Sequence, residues 1–267
     1  MKFIAFVSAK GGTGRTTLAA NLGVILARAG HRVLALDCDP QNALGTHLGM
    51  APGLRVGIAE GSSSNEITEY LAAQRGVVPY IPFGALGRND LHQAEGTLLA
   101  DSGWLQRRVH EIVPSGTEFV LVDTPAGERV WTEHVLEMAH AIVCVHLPDA
   151  ACFATLPVLA AMLERRCRKS ELKPAVWHVL NQMEPHSELA RDAEFLLRQH
   201  LGDQLVSCSV PRDHIIGEAW AQQLPVALHS PMTGAAAALR ELSERLLTPF
   251  ADFQRHAATS LKLRGES

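Results

Sequence analysis

Short apolar runs recur along the chain and alternate with helical patterns. The runs are Phe3–Val7, Val33–Asp37, Val77–Ile81, Phe119–Asp123, Ala141–Leu147, Ala175–Leu180 and Leu205–Val210. Most are apolar along nearly their whole length, as expected of strands buried on both faces of a parallel sheet. Between them the spacing predicts helices near 16–29, 97–113, 129–139, 151–169, 187–201 and 213–223, and a last one from Gly234 to about Phe253. This alternation predicts an α/β fold: a mostly parallel, twisted sheet of about seven strands with helices on both faces. Ligands of such sheets bind at the carboxyl ends of the strands. Residues 1–254 read as a single domain and 255–267 as a polar tail. The least regular stretch, 52–95, holds Gly61-Ser62-Ser63-Ser64 and Pro82-Phe83-Gly84, and reads as a surface insertion.

Composition narrows the class. The chain has 267 residues, 47% hydrophobic and 19% charged, which suits a globular protein with a sizeable core. A net charge of −4 gives no support to broad nucleic-acid binding. No apolar run has the length of a membrane span, and the chain opens directly into a strand with no signal-peptide pattern. Five cysteines lack metal-ligand spacing; Cys38, Cys144 and Cys208 lie in or beside apolar runs and read as small buried residues of a cytosolic protein.

The chemistry concentrates after the first strand, in Ser8-Ala9-Lys10-Gly11-Gly12-Thr13-Gly14-Arg15-Thr16-Thr17. A glycine-rich turn feeding a helix N-terminus traps phosphate, because crowded backbone N–H groups and the helix dipole favour negative charge. The generic phosphate loop begins with glycine and ends Gly-Lys-Ser/Thr. Here Ala9 takes the first position, Arg15 stands where the lysine belongs, and Lys10 is an additional cation. Two strands then end in carboxylates. The second closes Leu36-Asp37-Cys38-Asp39-Pro40-Gln41, with Asp37 and Asp39 at alternate positions and so on one face. The fourth closes Phe119-Val120-Leu121-Val122-Asp123, four apolar residues that deliver a carboxylate to the sheet end, where it can hold Mg²⁺.

These segments together resemble the MinD/ParA superfamily of P-loop ATPases with a deviant phosphate loop. The resemblance implies that ATP and Mg²⁺ are the cofactors. Gly11, Gly12, Thr13, Gly14 and Arg15 would wrap the phosphates, with Thr16 on the metal and Thr17 facing the α-phosphate. Lys10 would be the signature lysine that reaches the nucleotide of a second copy in a homodimer. Asp39 would position the attacking water, and Asp37 and Asp123 would belong to the metal shell. Thr124-Pro125-Ala126-Gly127 matches the second switch segment. Asn181 and Pro211-Arg212 match the adenine side, while Leu224 stands where glycine is common.

Within the superfamily, Val78-Pro79-Tyr80-Ile81-Pro82-Phe83-Gly84-Ala85-Leu86 and Asp37-Cys38-Asp39-Pro40-Gln41-Asn42-Ala43-Leu44 resemble the cellulose-secretion branch, BcsQ. That branch implies a cytoplasmic ATPase whose partners are components of the cellulose synthase complex and which they would recruit to the inner membrane. Arg15 keeps a positive charge but presents a planar fork, so slow turnover is the expectation. The alternative is a partition or positioning ATPase that binds DNA or a membrane surface. DNA binding is disfavoured, because Arg165-Arg166-Cys167-Arg168-Lys169 reads as a solvated helix end. A membrane helix in Gln254–Ser267 is disfavoured by its scarcity of apolar residues. His31, His92, His110, His134 and His200 read as surface residues, and the four tryptophans as packing.

Overall fold

Six strands form the sheet of the computed structural model: β1 Lys2–Val7, β2 Val33–Asp37, β3 Tyr80–Ile81, β4 Phe119–Asp123, β5 Ala141–His146 and β6 Ala175–Leu180. They lie in the order β3-β2-β4-β1-β5-β6, and every pairing is parallel. The structure describes residues 1–50, 56–59, 62–74, 76–168 and 172–250; the tail 255–267, Gly61 and Lys169 lie outside the described residues.

Side-chain alternation divides the core into two layers. Ile4 and Phe6 of β1 pack on the layer of α1 (Arg15–Arg28), α9 (His214–Ala221), α10 (Val226–His229) and α11 (Gly234–Leu247). Phe3, Ala5 and Val7 face the opposite layer, built by α3 (Ser64–Ala73), α4 (Arg88–Ala100), α5 (Trp104–Ile112), α6 (Val130–Met138) and α7 (Ala150–Cys167). The short α2 (Leu44–His47) follows β2, and α8 (Glu188–Leu201) packs Leu197 with Leu156 and Leu180 beyond the main core. Burial on both faces explains why the strands read as unbroken apolar runs rather than alternating ones.

The expected seventh strand is not formed. The segment 205–210 touches β6 through one bridge, His178 with Leu205, and through Val206 and Val210 N–H groups that donate to His178 and Leu180 carbonyls at 2.9 Å each. Val210 is four positions past Val206 while its acceptor is only two positions past His178, so two extra residues bulge out and the ladder register is lost. The helix expected at 97–113 is two helices, because the Asp101 carboxylate accepts the Gly103 N–H at 3.1 Å and makes a local turn that competes with the helix. The stretch 52–95 contains more structure than its composition implied. Ser63 and Glu66 form a reciprocal capping box that starts α3. The last helix ends at Leu247, two residues before Pro249, rather than near Phe253.

Candidate nucleotide site at the carboxyl end of the sheet

The loop 8–14 connects β1 to α1. Gly12 has φ +75° and Gly14 φ +89°, a left-handed conformation that other residues reach only with strain. A Cβ on Gly14 would collide with the Asn181 amide. Asn181 is buried and donates through Nδ2 to the Thr13 carbonyl at 2.7 Å, so it braces the loop. Gln182 adds a bond from Nε2 to the Gly12 carbonyl at 3.2 Å.

Arg15 is buried, 7% exposed, and its guanidinium points inward. Nε donates to the Thr124 carbonyl at 3.0 Å. Nη1 donates to the Ser8 hydroxyl and to the Lys10 carbonyl. Nη2 lies 3.8 Å from Asp39 Oδ2. One side chain therefore ties the phosphate loop to the segments after β2 and β4. The planar fork makes this possible; an ammonium could not span the three directions. Gly127 completes the tie, donating its N–H to the Ser8 carbonyl at 2.9 Å.

The three expected metal-side residues are brought together. Asp37 and Asp123 are register partners across β2 and β4, and both are fully buried. The Thr16 hydroxyl donates to Asp123 Oδ2 at 2.6 Å, whereas Asp123 Oδ1 is buried without a partner, as is the Thr13 hydroxyl. Asp37 accepts from the Asp39 and Leu44 N–H groups at 2.9 and 3.0 Å, so it also caps α2. Burial, and then the charge of Asp123, push the Asp37 carboxyl well above the usual range. Burial also raises Asp123, against the pull of Arg15 and Thr16. Two desolvated carboxylates side by side suit a cation. Among the described residues no cluster of three or more His, Cys, Asp or Glu is placed to hold a metal. Two carboxylates and a hydroxyl are the sparse set that Mg²⁺ uses when phosphates and water supply the rest.

Lys10 and Asp149 form an ion pair at 2.7 Å, with side chains 29% and 35% exposed. The hydrogen bond to Asp149 raises the Lys10 pKa. Thr17 lies where two adjoining hollows meet. One, of about 340 Å³, is bordered by Asn181, Val210 and Arg212; the other, of about 300 Å³, by the loop, Ala43, His47 and Trp220. Pro211 bridges to Met183, and Arg212 is turned outward onto Glu184 at 2.5 Å. Thr124 donates to the Phe6 carbonyl at 2.7 Å, Pro125 accepts from Thr132 at 3.2 Å, and Ala126 lies half-buried between Pro125 and Gly127.

Several residues, at this site and away from it, escaped the sequence reading. His47, His146 and His178 are buried, as are His31 and His134, which the sequence placed at the surface. His134 is held by the Ser102 carbonyl at 3.1 Å, and His31 packs edge-on against Phe119. Trp220 is 52% exposed rather than packed inside. These positions belong to no contiguous motif; periodicity alone cannot say which polar residues the fold encloses. The basic run at the end of α7 is paired: Arg165 with Glu128, Arg166 with Glu133 and Glu137, Arg168 with Glu164. Among the described residues no helix is long and apolar enough to cross a membrane.

Comparison with known proteins agrees with this architecture. The sequence profile of the family described as cellulose biosynthesis protein BcsQ matches residues 1–247. The chromosome partitioning protein ParA of Caulobacter vibrioides is 28% identical over 268 residues, covering 97% of this chain and 98% of the relative. The chromosome-partitioning ATPase Soj of Thermus thermophilus is 27% identical over 246 residues, covering 91% and 94%. Among solved structures, the septum site-determining protein MinD of Pyrococcus horikoshii, complexed with Mg-ADP, superposes with a TM-score of 0.71 at 23% identity, covering 95% of this chain and 98% of that one. Cobyrinic acid a,c-diamide synthase of Mycobacterium smegmatis, with a bound ATP analogue and magnesium, gives 0.74 at 20% identity, covering 94% and 96%. At these identities the two structures establish the P-loop fold alone.

Proposed function

The chain belongs to the cellulose biosynthesis protein BcsQ family, and from that premise we propose that it is a MinD/ParA-type ATPase that binds ATP with Mg²⁺, dimerises around it, and helps assemble or localise a cellulose synthase complex. The observation that carries the nucleotide reading is the convergence of Thr16, Asp37 and Asp123 beneath a left-handed glycine loop, with one buried carboxylate oxygen of Asp123 left without a partner. That donor set fits Mg²⁺, which supplies charge neutralisation to bound phosphates. The N–H groups of Gly11, Gly12, Thr13 and Gly14 cradle the phosphates, and Thr17 faces the α-phosphate. Asn181, Pro211 and Arg212 border the adenine, and Thr124 to Gly127 respond to the terminal phosphate. Residues 1–254 act as one ATPase unit.

Lys10 serves the nucleotide of a second copy. Its pairing with Asp149 is half-exposed and so weakly held, and exchange for a phosphate is cheap. Asp39 orients the attacking water. Because Arg15 engages Asp39 and the loop itself, turnover is slow, and the ATP-bound dimer acts more as a scaffold than as a cycling enzyme. Calorimetry with Mg·ATP tests the reading directly. Wild type takes up nucleotide; Asp123→Ala does not take it up with magnesium. Uptake that ignores both magnesium and Asp123 would contradict the assignment.

The cellulose role rests on the family and is tested in cells. Lys10→Ala abolishes cellulose output while the protein remains folded and present; unchanged output rejects that role. A second reading, a partition ATPase, is favoured by the end-to-end similarity to ParA and Soj. ATP-dependent retention on DNA that weakens with salt would support it. The four glutamates beside Arg165, Arg166 and Arg168, namely Glu128, Glu133, Glu137 and Glu164, leave the end of α7 without a net positive charge for DNA, which speaks against it.

A further inference from the structure

The phosphate-loop roles above leave Trp220 unused. Trp131 is buried and Trp104 and Trp177 are half-buried, but the Trp220 indole is 52% exposed and stands on the rim of the hollow beside the phosphate loop. It is nonetheless fixed in place. Its Nε1–H donates to the Thr46 hydroxyl at 3.1 Å, and its ring stacks on His47 with centroids 5.5 Å apart and planes 18° apart. His47 is neutral near pH 7, since burial lowers its pKa to about 4, so the stack presents an uncharged aromatic surface. An exposed aromatic held by both a hydrogen bond and a stack is arranged for a flat partner. Gly217 adjoins both hollows and has no atom within 4 Å of where a Cβ would stand, which leaves the passage between them open.

The loop accounts for the phosphates of a nucleotide; the hollow with Asn181 and Arg212 offers the nucleoside polar groups and the aliphatic Val210 and Ile216, and the adjoining hollow offers it a flat indole. We propose that the Trp220 indole, held by Thr46 and His47, is the wall against which the nucleoside of the bound nucleotide packs. This rests on the nucleotide-binding reading and deepens it. The wall stands on α9 but is pinned to α2, whose first turn is capped by Asp37. A nucleoside seated there bears on the same short helix that positions the metal-side carboxylate, so the two ends of the groove are mechanically joined.

The test uses the full chain and two probes, Mg·ADP and Mg·pyrophosphate, the second lacking a nucleoside. Calorimetry on wild type, Trp220→Phe and Trp220→Ala gives the affinities, and tryptophan emission gives the contact. Loss of an aromatic stacking surface lowers ADP affinity about tenfold. Trp220→Ala therefore binds Mg·ADP about tenfold more weakly and binds Mg·pyrophosphate as wild type does, while Trp220→Phe keeps most of the ADP affinity. Wild-type emission shifts with Mg·ADP and not with Mg·pyrophosphate, and Trp220→Phe loses the shift. If wild type takes up both probes but Trp220→Ala weakens neither or both equally, the wall is rejected and the nucleotide site stands. If wild type takes up neither probe, the nucleotide reading falls and the wall with it.

Discussion

Arg15 and Trp220 border the same groove and are held in opposite ways. Arg15 is buried among the protein's own acceptors, Thr124, Ser8, Lys10 and Asp39. Trp220 is anchored from one side and open on the other. The phosphate half is thus an interlocked polar network, in which a ligand must exchange bonds that already exist. The nucleoside half is a preformed surface that a ligand covers. Changes in the first half are expected to act on turnover and on the switch segments, and changes in the second on which ligand binds and how tightly.

The harshest way to break the phosphate half is Gly14→Val. A branched side chain at φ +89° carries about 1–2 kcal/mol of left-handed strain and meets the Asn181 amide. Calorimetry should find no nucleotide uptake; retained uptake would mean that the loop does not need this conformation. Arg15→Lys is milder. It frees Asp39 and Thr124 from the guanidinium, and because small misplacements at a reacting centre cost up to about a hundredfold, ATP turnover should rise by about tenfold or more with little change in affinity. A fast wild type with no gain in the variant would show that Arg15 does not restrain hydrolysis.

A smaller effect sharpens the comparison from the nucleoside side. His146 Nε2 and His178 Nδ1 are 2.8 Å apart, and the His146 carbonyl accepts the Asn181 N–H at 2.8 Å. Burial lowers His178 to about 4, and burial together with His178 lowers His146 to about 3. Unfolded histidine titrates near 6.5, so between roughly pH 6.5 and 3 the unfolded chain takes up protons that the folded chain refuses. Stability conferred by the neutral pair is complete above that window and is lost as pH falls through it. Denaturant midpoints at pH 7, 6 and 5 should decline, and His178→Gln should decline less steeply; equal slopes would show that the pair is not the source. The smallest effect expected is that of Asp149→Ala. It removes a half-exposed ion pair and the N-cap of α7, a loss of about 1 kcal/mol, read as a fall of about 2–4 °C in melting temperature.

What could be read from the chain follows the same division. The phosphate loop, Asp37, Asp39 and Asp123 were legible because each lies in a contiguous stretch whose local geometry repeats wherever a strand feeds a helix or ends in a carboxylate. The sheet was legible because burial on both faces leaves unbroken apolar runs. The inward turn of Arg15 was not, since its acceptors come from three separate segments. Nor was Trp220, whose partners Thr46 and His47 stand more than 170 positions away along the chain. The strand expected at 205–210 failed on two extra residues between its bonds to β6, and the helix at 97–113 on one aspartate turn. In these places a local polar bond or a distant contact outweighed the apolar pattern.

The most direct trial of the account is the solution mass of wild type and Lys10→Ala, measured by light scattering with Mg·ATP. A doubling of mass in wild type alone is the predicted result, with Lys10→Ala remaining a monomer. A wild type that stays monomeric with Mg·ATP, or a Lys10→Ala variant that pairs as readily, would contradict the claim that a cation from a second copy completes the nucleotide grip.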